Sequence, residues 1–179
     1  MKIIFFFTVL QNIIFSAWSQ SIDPLKLTWA DYGNNVDLNE HMTAFTCGNI
    51  VYHYKVNPDR TKLINVAVVF DPNKSWLDWT ICKDSSKKFM DYLLNHERLH
   101  LYITILYAKK LKIYYKTHQP LTGKEATDIA NYYSLQAKKE NNNYDTDTDH
   151  SKIHSKQLAW ETNIANQLEI VKNTKLDTP

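Results

Sequence analysis

Residues 86–111 read SKKFMDYLLNHERLHLYITILYAKKL, and the fold turns on whether this stretch is a helix. Phe89, Leu93, His96, His100, Ile103, Tyr107 and Leu111 recur every three or four residues, while Met90, Leu94, Leu101 and Ile105 make a second face apolar. Such a helix is mostly buried. Asp84, Ser85 or Ser86 supplies its cap, and Thr117-His118-Gln119-Pro120 ends it.

Inside this stretch His96-Glu97-Arg98-Leu99-His100 has the H-E-x-x-H form. On a helix, residues four apart share a face, so both imidazoles can reach one metal ion. Glu97 sits beside the first of them, where a carboxylate can take a proton from metal-bound water and pass it to a leaving group. Random placement of the seven histidines and six glutamates would give the pattern in only about 1% of such chains, and burying these three side chains together is costly without partners or a metal. One Zn2+ suits the site, because imidazole ligates it well and it lowers the pKa of bound water to about 7.

A catalytic zinc takes a third protein ligand. The extended form of the motif is absent, since Ile103 and Leu106 stand where it has Gly and His. Glu125 and Glu161 are possible carboxylate donors, but the densest supply is Tyr144-Asp145-Thr146-Asp147-Thr148-Asp149-His150, read as part of a polar loop over 141–150 that folds back on the helix. The same segment imitates the opening of a calcium loop. An EF-hand is excluded because His150 and Lys156 stand where Gly and Glu are needed.

Upstream of the helix the pattern is β-prone: Leu27-Thr28-Trp29, then Ala44 to Val56, then Leu63 to Phe70, with Asn57-Pro58-Asp59 as the turn of an antiparallel hairpin. Downstream, Thr122-Gly123-Lys124-Glu125 has the form of a capping box, followed by Ala126, Ile129, Ala130, Tyr133 and Ala137 at helical spacing. A last helix carries Ile153, Gln157, Trp160, Ile164 and Leu168. Strands followed by a buried helix and further helices read as α+β.

The ends and the composition narrow the function. Lys2, the apolar run Ile3 to Leu10 and the small-x-small Ala17-Trp18-Ser19 read as a signal peptide over 1–19, leaving a single domain over 20–179 that is secreted or periplasmic. The apolar run is too short to span a bilayer, so no membrane span is expected after cleavage. Cys47 and Cys82 are then expected to form a disulfide. Twenty-one basic against 19 acidic residues, with no long block of one sign, exclude a dedicated nucleic-acid surface. With 3 Gly and no phosphate-binding loop pattern, nucleotide binding has no support either.

Lys26-Leu27-Thr28-Trp29, Ser75-Trp76, Leu94-Asn95-His96-Glu97-Arg98-Leu99-His100, and Tyr144-Asp145 with Thr148-Asp149-His150-Ser151, Gln157 and Trp160 stand in an order that resembles a bacterial domain-of-unknown-function family described as predicted secreted zinc-dependent proteases. The resemblance covers nearly all of the chain after the signal. It implies a zincin-like fold, His96 and His100 as zinc ligands, Glu97 as catalytic base and His150 as third ligand, with Asp149 and Asp145 behind it. This chain departs from the family pattern at Leu99, Tyr102 and Ile105, where the resemblance leads one to expect a Gly and then acidic residues.

Two functions are therefore expected to compete. The first is an exported zinc-dependent peptidase acting on a peptide or protein substrate, with Tyr144 as an added donor to the oxyanion. The second is a non-catalytic cell-surface or periplasmic binding protein that keeps a zincin scaffold, favoured by the departures and opposed by the intact Glu97. His41, His53, His118 and His154 read as surface or packing residues, with His154 the one that could compete for metal, four residues after His150.

Overall fold

The computed structural model describes residues 22–37, 42–59, 62–118 and 122–174; the signal segment over 1–19 and His41 lie outside them. Strands β1 (Ala44–Phe45), β2 (Gly48–Val56), β3 (Lys62–Phe70) and β4 (Trp76–Leu77) precede a short helix α1 (Trp79–Cys82). Three long helices follow: α2 (Lys87–Thr117), α3 (Gly123–Thr148) and α4 (His154–Asn173). The architecture is α+β, and among the described residues no helix is long and apolar enough to cross a membrane.

Helix α2 is the axis of the molecule. Ser86 caps it, its hydroxyl accepting from the Phe89 amide at 3.2 Å. One side packs on the hairpin of β2 and β3, where Leu94, Leu101, Ile105 and Ala108 meet Val68 and Phe70 together with Leu27 and Tyr32. The other side meets α3 and α4, where Leu99, Ile103 and Leu106 pack with Tyr144 and Ile164. Each such fully buried aliphatic side chain contributes about 1.5–3 kcal/mol of hydrophobic stabilisation. The hairpin is antiparallel from Gly48↔Phe70 to Val56↔Lys62. Gly48 permits its close approach, because a Cβ there would stand 2.5 Å from Leu101 Cδ2, inside the buried core.

Four expectations are corrected. Ala44 to Val56 is not one strand: Ala44 and Phe45 pair with Leu77 and Trp76, while Cys47 is turned aside by a bond from its amide to Ser75 Oγ at 2.9 Å. Leu27-Thr28-Trp29 is not extended throughout, because Asp23 caps a 3-10 turn at Pro24–Lys26 and Asp31 accepts from the Thr28 amide at 2.7 Å to start another at Trp29–Asp31. The Cys47–Cys82 disulfide is not formed. Cys82 is buried against Ala44, Leu77 and Leu93, whereas Cys47 Sγ accepts from Asn49 Nδ2 at 3.6 Å, and both are free thiols.

The fourth correction decides the site. The polar segment over 141–150 is largely helical, since α3 continues to Thr148. Thr146 and Thr148 return their hydroxyls to the carbonyls of Asn142 and Tyr144 at 2.8 and 2.7 Å, and Tyr144 and Thr148 are fully buried. Burial of one face outweighs the poor helix propensity of Asn, Asp and Thr.

Candidate metal centre

Four residues on two helices face one another. His96 and His100 stand one turn apart on α2, and Asn141 and Asp145 stand one turn apart on α3. Asp145 Oδ1 lies 3.1 Å from His96 Nε2 and 3.1 Å from His100 Nε2. These three side chains each offer one donor atom to a cluster whose members lie within 4.8 Å of one another, which can hold a metal ion. Tetrahedral zinc with bonds of roughly 2.1 Å separates neighbouring ligand atoms by about 3.4 Å, so the spacing is close to what such an ion needs.

The rest of each ring is fixed differently. His100 Nδ1 is 3.0 Å from Asn141 Oδ1, whereas His96 Nδ1 is buried without a hydrogen-bond partner and its ring stacks on Tyr144 at a centroid distance of 4.5 Å. Glu97 is also buried at 2% exposure, and its Oε2 has no hydrogen-bond partner. An unpartnered buried carboxylate oxygen beside two imidazoles and a second carboxylate is costly unless a cation or a proton donor comes to it.

Charge is coupled across the cluster. Burial pulls the His100 imidazole down but is outweighed by the hydrogen bond and charge of Asp145, with Glu97 and Asn141 adding to it, so its pKa is pushed up to about 9. Burial acts to raise the Asp145 carboxyl, yet the hydrogen bonds and charges of His100 and His96 hold it well below the usual carboxylate range. The proton that His100 Nε2 shares with Asp145 therefore stands where a divalent cation would, and a cation must displace it to bind.

The cavity over this cluster is small, about 10 Å³, and is lined by His96, Glu97, His100, Asp145 and His150 below and by Met42 to Phe45 above. Strand β1 forms the roof. It is tied to β4, and the Thr43 carbonyl accepts from the Asp78 amide at 2.9 Å. That volume is about one water molecule.

The remaining expected residues fall around this centre. His150 lines the cavity, but its Nδ1 is 3.8 Å from Asp145 Oδ1, its side chain is 42% exposed, and it is not in the cluster of three. It sits in a turn in which Asp149, His150 and Ser151 all have positive φ, at 46°, 50° and 73°, so it is not helical and does not share a helical face with His154. His154 is the first residue of α4 and stacks on Tyr92 at 4.1 Å. Asp149 bonds Lys152 at 3.3 Å. Tyr144 is fully buried behind the histidine pair, with Oη unpartnered, and does not line the cavity. Glu125 completes the capping box of α3, and Glu161 accepts from Gln157 Nε2 at 3.1 Å; neither joins the cluster.

Read as a loop, the 141–150 segment does not point to Asn141. Its signal was present, because Ala137, Asn141, Tyr144, Asp145 and Thr148 follow helical spacing once the segment is read as helix. No family model, curated protein or solved structure matches the chain.

Proposed function

We propose that this protein is an exported zinc-dependent peptidase with a zincin-like arrangement, in which His96, His100 and Asp145 hold one Zn2+ and Glu97 is the catalytic base. The observation that carries the proposal is the convergence of His96 Nε2 and His100 Nε2 on Asp145 Oδ1 beside a buried Glu97 whose Oε2 has no partner. Two nitrogens and one carboxylate oxygen are the donor set of catalytic rather than structural zinc, which leave a fourth position open.

Bound zinc supplies Lewis acidity, polarising a carbonyl and acidifying water. The protein's own groups do the rest. Glu97 Oε2 accepts the proton of the attacking water and delivers it to the leaving nitrogen. Asp145 neutralises part of the ion's charge and is the third ligand in place of His150, which stays at the mouth of the cavity. Restriction to peptide bonds and export to the periplasm or medium rest on the family resemblance and the 1–19 segment.

One observation favours the competing reading, a non-catalytic binding protein on the same scaffold: a cavity of about 10 Å³ under β1 has no room for a peptide. Glu97→Gln separates the two. A peptidase loses turnover of a peptide library by at least about 100-fold while its zinc content holds. Unchanged turnover in the variant, or no turnover in zinc-loaded wild type, removes the peptidase.

A further inference from the structure

Three hydrogen bonds form a closed loop behind His100. Asn141 Oδ1 is 3.0 Å from His100 Nδ1, Asn141 Nδ2 donates to Thr104 Oγ1 at 3.3 Å, and the Thr104 hydroxyl donates to the His100 carbonyl at 2.9 Å. The orientations are mutually consistent. With the Thr104 proton committed to a carbonyl, which can only accept, its oxygen is left to receive the Asn141 amide, and the Asn141 carbonyl is then turned to His100. His100 Nδ1 consequently carries a proton whether or not Nε2 does, so Nε2 is the nitrogen whose proton, shared with Asp145, gives way to leave a lone pair on the Asp145 side. Thr104 is 3% exposed and His100 8%, so water does not compete for these bonds.

We propose that Asn141 is a positioning residue for the metal centre, which, through its amide bridge between His100 Nδ1 and Thr104 Oγ1, fixes the tautomer and ring angle that turn His100 Nε2 to the ion. The proposal rests on the zinc reading above. Nothing comparable holds His96, whose Nδ1 has no hydrogen-bond partner and whose ring is set by stacking on Tyr144. The two ligands are thus held by different means, one by hydrogen bonds and one by packing, and Asn141 sits one turn from Asp145 so that a single helix supplies both a ligand and the support for another. A partner on the far nitrogen of a metal-bound imidazole typically changes affinity 10–100-fold when removed.

The test is the zinc dissociation constant, measured by competition with a chromogenic chelator, for the wild type, Asn141→Leu and Asn141→Asp. Asn141→Leu should bind zinc about 10–100-fold more weakly. Asn141→Asp keeps an acceptor for Nδ1 and should restore binding to within about threefold of wild type, which a merely structural role for the side chain does not predict. Equal affinity in wild type and Asn141→Leu overturns the proposal while leaving the zinc site standing, as does equal weakness of both variants. A wild type that binds no zinc overturns the zinc reading itself. Nitrogen NMR of histidine-labelled, zinc-loaded wild type decides the matter even if Asn141→Leu does not fold: a proton on His100 Nδ1 with Nε2 ligated is expected, and the reverse assignment refutes the role.

Discussion

Tyr144 lies nearly flat against His96, their ring centroids 4.5 Å apart and their planes inclined by 26°. The same phenol meets His100 edge-on at 5.0 Å and lies 5.5 Å from Trp160, so it is the packing wall of the candidate metal centre. Its hydroxyl is buried and has no hydrogen-bond partner, and burial, with Glu97 adding to it, pushes its pKa far above the ordinary tyrosine value. Tyr144→Phe keeps the stack and removes an unsatisfied polar atom, so its urea midpoint should equal or exceed that of wild type, with zinc retained. Tyr144→Ala should cost about 3–5 kcal/mol. A Phe variant that is stable but inactive would restore the phenol to the oxyanion role expected from the sequence.

His150 is held in a left-handed turn between two other residues of positive φ. Each non-glycine residue there costs roughly 1–2 kcal/mol, and the turn is retained by the Tyr92 hydroxyl on the Ser151 carbonyl at 2.7 Å and by the Ile153 amide on the Thr148 carbonyl at 2.8 Å. His150→Gly removes the steric cost without disturbing those bonds. Urea unfolding of the metal-free protein should show it about 1 kcal/mol more stable. Zinc affinity of the same variant should change less than about threefold, whereas a loss of a hundredfold or more would make His150 the third ligand.

The His100–Asp145 pair sets the pH dependence of the metal-free protein. With His100 raised to about 9 from an ordinary value near 6.5, its stabilising share is complete below about pH 6.5 and disappears as pH climbs through 9. The lowered Asp145 is the other side of the same interaction, present above the ordinary carboxylate range and lost as pH falls below it. Counted once, the pair should cost the metal-free protein about 3 kcal/mol between pH 6 and pH 10. Zinc replaces those protons, so its affinity should rise over the same interval. A urea midpoint that is flat from pH 6 to 10 without metal would contradict the coupling.

Much of this was legible in the residues. The periodicity around His96-Glu97-Arg98-Leu99-His100 marks α2, and the Asp84–Ser86 run, of which Ser86 is the cap, and the Thr122–Glu125 box mark two helix starts, because caps and apolar spacing are local features. The hairpin of β2 and β3 follows from its turn and its β-branched runs. The third member of the cluster was obscured by composition. Asn and Asp suggest a loop over 141–150, in which the family resemblance put His150 first, with Asp149 and Asp145 behind it; the buried face of Tyr144 and Thr148 instead extends α3 and brings Asp145 Oδ1 to 3.1 Å from both histidines. Several residues of the quoted sequence motifs also do structural work not evident from their order. Arg98 donates to the carbonyls of Leu25 and Leu27, Trp29 Nε1 donates to the Met90 carbonyl at 3.2 Å, and Ser75 Oγ accepts from the Cys47 amide. These tie the chain before β1 and the strand ends to α2 and to one another.

The most direct measurement is zinc per molecule by elemental analysis, on protein purified without chelator or affinity metal, for wild type, Asp145→Ala and His150→Ala. A centre built on His96, His100 and Asp145 predicts close to one zinc in wild type and in His150→Ala, and a large loss in Asp145→Ala. Full zinc in Asp145→Ala with loss in His150→Ala would move the third ligand to His150. A wild type that holds no zinc after zinc is supplied and the excess removed would contradict the metal centre altogether.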